Sequence, residues 1–339
     1  MDYSYSTKLL GTSEEELLYA AGLLARGEIV GMPTETVYGL AADAENPRAV
    51  ERIFAAKGRP QDNPLIVHIA DIEQLEEYAH SIPAIAYRLA EKFWPGPLTM
   101  VLPKKEKIPN ITSAGLNTVG IRMPCHKAAG SLIRYSGKAL AAPSANLSGS
   151  PSPTEAAHVM ADMDGRIPAV VDGGSCPVGV ESTVISFDGD AVRILRPGFV
   201  SSEELSEWAE VIHDKHITEA AAEGEKVLSP GMKYKHYSPK ANVVIVDGSE
   251  EQYLDYVNHQ VGNGACAMLF GSEADRCMIP HIAYGDTSEE QAAKLFAVLR
   301  KLDDIGAEQV YARMPSTEGV GLAVYNRLLR AAGFETVKL

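Results

Sequence analysis

Two cations, Lys57 and Arg59, flank a rigid turn in the segment AAKGRPQDNP (residues 55–64). Cations at the end of a predicted helix also stabilise the helix dipole, which is the purely structural interpretation. Alternatively, the prolines hold the guanidinium toward a cleft, where the two cations would bind phosphate oxygens. Arg122 in VGIRMP and Arg196 in RILRPG lie at or near predicted strand ends. Together the four cations favour an anion-binding site.

Hydroxyl groups lie at three predicted junctions between strands and loops. In LAAPSANLSGSPSPT (140–154), a short apolar strand is followed by a serine-rich turn that contains Ser144, Asn146 and Ser152. A turn that ends in a helix cap explains this composition, and so does a ligand loop at a strand end. Similar junctions occur in MPTETVYGLAADA and GVESTVISF, where the β-propensity of threonine is the simpler explanation. Composition alone leaves both interpretations open.

A third chemically unusual segment is SPGMKYKHYSPK (229–240), which concentrates lysines, a histidine and tyrosines. Pro230, Gly231 and Pro239 predict a loop. The whole chain has 31 Lys+Arg against 45 Asp+Glu and a formal charge of −14. This balance disfavours a general nucleic-acid surface, although a local basic site is compatible with it.

The elements that position these residues fall into two units. A capping box at Ser13 and Glu16 begins the first predicted helix, and mixed strands and helices through residue 210 predict one α/β domain. The polar, alanine-rich composition after residue 210 predicts a linker, 211–240 with the basic loop. From ANVVIVDG onward, strands alternate with helices, so residues 241–339 predict a small parallel sheet of Rossmann-like type.

Other patterns exclude common function classes. No P-loop motif occurs, and GVGLAV (319–324) has Val324 where a dinucleotide fingerprint needs its third glycine, so we expect a helix start packed closely on the sheet. The four cysteines form no C-x-x-C pair, which indicates free thiols in a reducing compartment. No signal peptide or membrane-spanning run is apparent, and we expect a cytoplasmic protein without membrane association.

Eight motifs in chain order resemble the YrdC/YwlC-type threonylcarbamoyl-AMP synthases, in their long, two-domain form. The motifs are PTETVYGLAADA, AAKGRPQDNPLIVHI, FWPGPLTMVL, VGIRMP, APSANLSG, GVESTVI, ILRPG and SPGMKYKHYSPKA. The resemblance implies a YrdC-like twisted mixed sheet with helices around a positively charged cavity. It also implies a smaller Rossmann-like parallel α/β domain at the C-terminal end.

The resemblance further implies an activity. L-threonine, bicarbonate or CO2, and ATP would give L-threonylcarbamoyladenylate and pyrophosphate, for the N6-threonylcarbamoyladenosine modification of tRNA. Mg²⁺ would accompany ATP without a protein ligand, and no organic cofactor is expected. A downstream tRNA threonylcarbamoyl-transferase complex is a candidate partner, and we expect no stable direct binding of nucleic acid.

Site residues follow from the matching motif positions, and they fall into three overlapping sets. The catalytic set is Lys57, Arg59, Ser144 and Asn146. The L-threonine set is Thr36, His68, Arg122, Ala142 and Ser182. The ATP set is Arg59, Asn63, Thr118, Ser144, Ser152, Arg196 and Tyr237.

The charge contrast of the basic loop suggests a lid over the cleft, which would protect a short-lived carbamate and a mixed anhydride from water. The lid residues would be Lys233, Tyr234, Lys235, His236 and Tyr237. A basic linker docked on the acidic surface is the alternative. Two other functions stay open: a non-catalytic RNA-binding or ribosome-associated module that uses the same basic cavity, and carbamoyl transfer through carbamoyl-adenylate.

Overall fold

A computed structural model describes residues 5–61, 63–219, 237–260, 262 and 264–339. Its first unit contains β1 (Lys8–Leu10), α1 (Glu14–Ala25), β2 (Val30–Met32), β3 (Gly39–Asp43), α2 (Pro47–Lys57), β4 (Ile66–His68), α3 (Leu75–Tyr78), α4 (Ala84–Phe93), β5 (Leu98–Pro103), β6 (Thr118–Arg122), α5 (Lys127–Ser136), β7 (Leu140–Ala141), α6 (Ala156–Met163), β8 (Ala169–Val171), β9 (Thr183–Asp188), β10 (Ala191–Arg196), α7 (Ser202–Ser206) and β11 (Val211–His213). The second unit contains β12 (Asn242–Asp247), α8 (Glu250–Asn258), β13 (Ala265–Leu269), β14 (His281–Ala283), α9 (Ser288–Asp304), β15 (Gln309–Arg313), α10 (Gly319–Ala331) and β16 (Thr336–Lys338).

The first unit is built on a mixed sheet in the order β1-β8-β2-β3-β7-β4-β6-β5-β9-β10-β11. Neighbours β4 and β6 are parallel, whereas β5 and β6 are antiparallel. Buried aliphatic side chains of α1, α2, α4 and α5 pack against this sheet. The predicted mixed α/β fold is therefore confirmed.

Local signals in the sequence determine how α2 presents Lys57 and the turn after it. The side chain of Asn46 accepts hydrogen bonds from the N–H groups of Arg48 and Ala49, and Pro47 occupies the first helical turn. The helix ends at Gly58, which has the left-handed φ of 61° that glycine tolerates best. Arg59 and the rigid turn consequently begin where the helix stops.

The second unit is a parallel sheet in the order β14-β13-β15-β12-β16. Each of its pairings is parallel, with β12 between β15 and β16. The helix α10 begins at Gly319, within the GVGLAV segment that predicts a helix start. The Rossmann-like parallel sheet predicted for this unit is confirmed.

The structure differs from the prediction between residues 211 and 217. Val211–His213 forms β11 and pairs in parallel with β10, and Lys215–Ile217 forms a 3-10 helix, so this part is not linker. The edge strands β1, β14 and β16 were also not predicted. Each spans three residues with at least one exposed side chain, so no buried face marks them in the sequence.

The two units pack directly on each other. Val37, Val178 and Val180 of the first unit share one buried cluster with core residues of the second, such as Val243 and Phe296. Gly179 lies so close to α9 that a Cβ atom there would be 2.3 Å from the carbonyl oxygen of Ala292. Within the described ranges, no helix is long and apolar enough to cross a membrane.

Candidate active site

A cavity in the first unit brings together residues from seven separate segments of the chain. Nine predicted site residues line it, from all three predicted sets: Thr36, Arg59, His68, Arg122, Ala142, Ser144, Ser182, Arg196 and Tyr237. The described lining residues include three guanidinium groups and one carboxylate, that of Glu181. The cavity is therefore polar and cationic, which suits an anionic ligand.

Arg122 ends β6 and is held on three sides. Its Nη1 donates to Thr36 Oγ1 at 2.9 Å, its Nε donates to the Gly96 carbonyl at 3.3 Å, and its Nη2 lies 2.6 Å from Glu35 Oε1. Burial raises the pKa of Glu35, but the contact with Arg122 and the backbone N–H groups of Glu35 and Cys125 together lower it by more, so the pKa is lowered overall. Glu35 was not predicted as a site residue, although it lies inside the quoted PTETVYGL motif.

His68 and the hydroxyl of Thr34 complete this side of the cavity. His68 ends β4, and its Nδ1 lies 3.2 Å from the carbonyl oxygen of Ile66. Burial and then the charge of Arg122 lower the pKa of His68 to about 3, so the ring is neutral at physiological pH. Thr34 Oγ1 lies 2.9 Å from Thr36 Oγ1, and both side chains are buried.

Arg196 and Ser182 form a further part of the cavity wall. The Ser182 carbonyl accepts hydrogen bonds from Nε and Nη2 of Arg196 at 3.3 and 3.0 Å, and the Ser182 hydroxyl lies 2.8 Å from Thr99 Oγ1. Burial and then the nearby charge of Arg327 lower the pKa of Arg196 to about 10, so it remains a cation at neutral pH. A buried cation at this wall would attract phosphate oxygens.

Lys57 and Asn146 lie behind the cavity rather than in its lining. The Lys57 ammonium donates to the Ser144 carbonyl, to the Asn146 carbonyl at 2.6 Å and to Asn146 Oδ1 at 3.4 Å. Asn146 Oδ1 also accepts the Ser144 hydroxyl at 2.5 Å. Burial first, and the charge of Arg59 second, lower the pKa of Lys57 well below its usual value. Lys57 thus fixes the loop that presents Ser144.

Three predicted ATP residues also lie outside the lining. Asn63 is buried and its carbonyl is 3.4 Å from Arg59 Nη2, Ser152 donates to Glu181, and Thr118 begins β6 at the end opposite Arg122. The predicted lid residues Lys233, Tyr234, Lys235 and His236 lie outside the described residues. Tyr237 is described, and its buried ring lies 5.2 Å from that of Phe296, between centroids.

Sequence reasoning missed Glu181 and its partner Arg327. Glu181 stands inside the quoted GVESTVI segment, where its charge could have drawn attention. Arg327 is one of two arginines in a predicted helix, and nothing in its local pattern distinguishes it from an exposed residue. Its burial follows only from the packing of α10 against the first unit.

The chain matches two protein-family models in succession. The Sua5/YciO/YrdC family model, described as "Telomere recombination", covers residues 22–198. The model for the threonylcarbamoyl-AMP synthase C-terminal domain covers residues 200–333. The chain therefore belongs to the Sua5/YciO/YrdC family and has the architecture of its two-domain threonylcarbamoyl-AMP synthases.

Similar proteins match over almost the full length. The threonylcarbamoyl-AMP synthases of Pyrococcus abyssi and Bacillus subtilis are each 45% identical to this chain; the first match covers 96% of both chains, the second 98% of this chain and 97% of its relative. The structure of P. abyssi Sua5 complexed with L-threonine superposes with a TM-score of 0.92 at 41% identity, and covers 98% of this chain and all of that one. Escherichia coli YciO, at 21% identity and a TM-score of 0.51, shares the fold of the first unit.

Proposed function

We propose that this chain joins L-threonine, bicarbonate or CO2, and ATP into L-threonylcarbamoyladenylate, with release of pyrophosphate. The observation that carries the proposal is the cationic cavity, where residues predicted for threonine and for ATP meet. Three arginines and several hydroxyl groups face one space. The L-threonine in the similar P. abyssi structure supports the same assignment.

The threonine half of the site would be the wall formed by Arg122, Thr36, His68, Ala142 and Ser182. A guanidinium held on three sides can receive a carboxylate with little loss of side-chain entropy. Neutral His68 offers no second positive charge, so the amino group of threonine would not be repelled from this wall. That matters because this amine has to react while the carboxylate stays bound.

The ATP half would be the wall of Arg59, Ser144 and Arg196, with Tyr237 beside it. Cations and hydroxyl groups there would bind the phosphate oxygens. Mg²⁺ would enter with ATP as part of the substrate and reduce the charge of the phosphates. We expect no organic cofactor, because the chemistry below needs none.

The reaction needs alignment rather than an enzyme nucleophile. The amine of threonine adds to CO2 and loses a proton, which gives a carbamate; a carbamate oxygen then attacks the α-phosphorus, and the bond to pyrophosphate breaks. The cavity would hold two anions in line and compensate their charge, and such alignment can lower a barrier by about 7–11 kcal/mol. Exclusion of water would preserve the carbamate and the product.

The cellular setting is part of the proposal. Four free cysteines agree with a reducing compartment, which we propose is the cytoplasm. The product would serve the N6-threonylcarbamoyladenosine modification of tRNA, through a downstream transferase complex. The chain itself would not bind tRNA stably, because its net charge of −14 opposes a polyanion.

The test is pyrophosphate release from Mg·ATP and bicarbonate, with and without L-threonine, and with L-serine as a comparison. We expect release that depends on L-threonine and that yields a threonylcarbamoyl-AMP detectable by mass spectrometry. Release without threonine, with carbamoyl phosphate as the carbamoyl source, would instead indicate carbamoyl transfer. No release by folded protein that binds tRNA would favour the RNA-binding alternative.

A further inference from the structure

A buried ion pair joins the two units at the wall of the cavity. Arg327 lies on α10 of the second unit, and its side chain has no exposed surface. Its Nε donates to Glu181 Oε2 at 2.7 Å, and its Nη2 donates to the Glu181 carbonyl at 3.5 Å. Glu181 lines the cavity, whereas Arg327 stands behind it. A side chain of the second unit thus holds a wall residue of the first.

The contacts of Glu181 extend to the predicted ATP residues. Its other carboxylate oxygen, Oε1, accepts the hydroxyl of Ser152 at 2.6 Å. The next residue, Ser182, receives the Arg196 guanidinium on its carbonyl oxygen. A shift of Glu181 would therefore move the adjacent Ser182 as well. It would also displace Ser152 and Arg196, because both are hydrogen-bonded to the segment Glu181–Ser182.

Arg327 is itself fixed from both units. Its Nη1 donates to Asn326 Oδ1 at 2.9 Å, and Asn326 Nδ2 donates to the Ile217 carbonyl at 2.6 Å. Ile217 belongs to the 3-10 helix that follows β11. Both Asn326 and Arg327 are fully buried. Such a satisfied network is costly to break, since each remaining polar group would be left without its partner.

The negative charge of buried Glu181 has to be compensated by a nearby cation. Burial raises the pKa of this carboxyl, but the charges of Arg327 and Arg196, together with hydrogen bonds from Arg327 and Ser152, lower it to about 2. Glu181 is consequently an anion at neutral pH in the wall of a cavity for polyanions. Without Arg327, its charge would repel phosphate groups and would attract Arg196 away from them.

We propose that Arg327 is a positioning residue for ATP, which orients and neutralises Glu181 and so makes the second unit part of the active site. This inference rests on the proposed function, because it assigns the Glu181 wall to ATP. It gives the second domain a role in substrate binding, beyond its packing against the first.

The test compares Arg327→Met with the double variant Arg327→Met/Glu181→Gln. We expect Arg327→Met to raise the KM for ATP about tenfold or more, because it leaves a buried charge uncompensated. The KM for L-threonine should rise less than the KM for ATP, because among the residues predicted for threonine only Ser182 adjoins Glu181. The double variant should recover most of the affinity for ATP, since neither charge remains. Arg327→Lys keeps the positive charge, so its KM for ATP should lie between those of the wild type and Arg327→Met.

Arg313→Met is the matched control. Arg313 pairs with the buried carboxylate of Glu273 at 2.9 Å, but both residues belong to the second unit. This variant should lose thermal stability without a change in either KM. If Arg327→Met behaves in the same way, or if the double variant is as impaired as the single one, the proposal is overturned. If Arg327→Met does not fold, Arg327→Lys and the double variant decide the matter.

Direct titration with Mg·ATP separates this inference from the proposed function. A wild-type protein that binds ATP but releases no threonine-dependent pyrophosphate would contradict the proposed function alone. In that case the ATP dissociation constants of the same variants would still test the role of Arg327. Equal dissociation constants for wild type and folded Arg327→Met would overturn it.

Discussion

The cavity of the mixed sheet and the crevice at the carboxyl edge of the small parallel sheet differ in the sign of their charge. The described lining of the cavity has three guanidinium groups and one carboxylate. The crevice has two carboxylates, Asp247 and Glu318, and one guanidinium, Arg313, which donates to Glu273 and to the Gly248 carbonyl. Yet ligands of open parallel sheets usually bind at that edge. We therefore expect local charge, rather than sheet type, to identify the anion site of this chain.

The two regions also use buried Arg–Glu pairs differently. Arg313 ends β15, and Glu273 lies in the 3-10 helix Gly271–Arg276, so this pair joins two elements of the second unit and stabilises that unit alone. Glu35 and Arg122, by contrast, leave the guanidinium facing the cavity. We therefore expect substitutions around the cavity to change substrate kinetics and substitutions at the crevice to leave them unchanged.

The largest effect is expected for Glu35→Gln/Arg122→Gln, which removes both charges of the pair and so leaves no uncompensated one. Its kcat/KM for L-threonine should fall about a hundredfold to a thousandfold, because the carboxylate of threonine loses its guanidinium partner. ATP titration should be little changed. The exposed pair Arg134–Asp71 provides the control: Asp71→Asn/Arg134→Gln should leave kinetics unchanged. An unaltered kcat/KM for threonine would remove Arg122 from the threonine site.

Lys57→Met should have the next largest effect. Methionine has a similar length but cannot donate to the carbonyls of Ser144 and Asn146, so the loop would shift. We expect kcat/KM for ATP to fall about tenfold to a hundredfold, since small displacements near reacting groups are costly. Lys104 donates to a carbonyl and to an Asn Oδ1 at the surface, and Lys104→Met is the control. Equal kinetics for the two variants would contradict this role of Lys57.

The pH dependence of stability should show the burial of His68. Its pKa is about 3 in the folded state against an ordinary value of 6.5, so between these values the unfolded chain binds one more proton. The free energy of unfolding that depends on neutral His68 is fully present above pH 6.5. It decreases as the pH falls toward 3, by at most about 1.4 kcal/mol per pH unit. In urea unfolding experiments, the free energy of unfolding of His68→Asn should therefore decrease less steeply with falling pH than that of the wild type. His259→Asn, at an exposed position, is the matched control.

The smallest effect is expected at the crevice of the second sheet. Ser316 Oγ accepts the Glu318 N–H at 3.1 Å, so Ser316→Ala should cost about 1 kcal/mol of stability or less. Steady-state kinetics for ATP and L-threonine should stay within about twofold of wild type. A clear rise in either KM would place the crevice in the reaction and would break the contrast between the two regions.

Much of the site could be predicted, but not how its parts are held. Nine predicted residues line the cavity, because their motifs carry recognisable residue types at strand and helix ends. Lys57 and Asn146 were predicted as catalytic, yet they lie behind Ser144 and bind the loop. Distance from the cavity is a property of the packed chain. The spacing of Lys57 and Arg59 in the sequence does not indicate how far each side chain lies from the cavity.

Local sequence signals account for the individual helices and strands and for the order of the two units along the chain. Asn46, Pro47 and Gly58 set the ends of α2 through contacts between residues that are close in the sequence. In the second unit, strands alternate with helices as the sequence predicts. By contrast, the local sequence does not show that Val211–His213 extends the first sheet, or that Arg327 contacts Glu181, 146 residues away in the chain. Such pairings depend on long-range packing and on the burial of charge, which no local pattern of residues encodes.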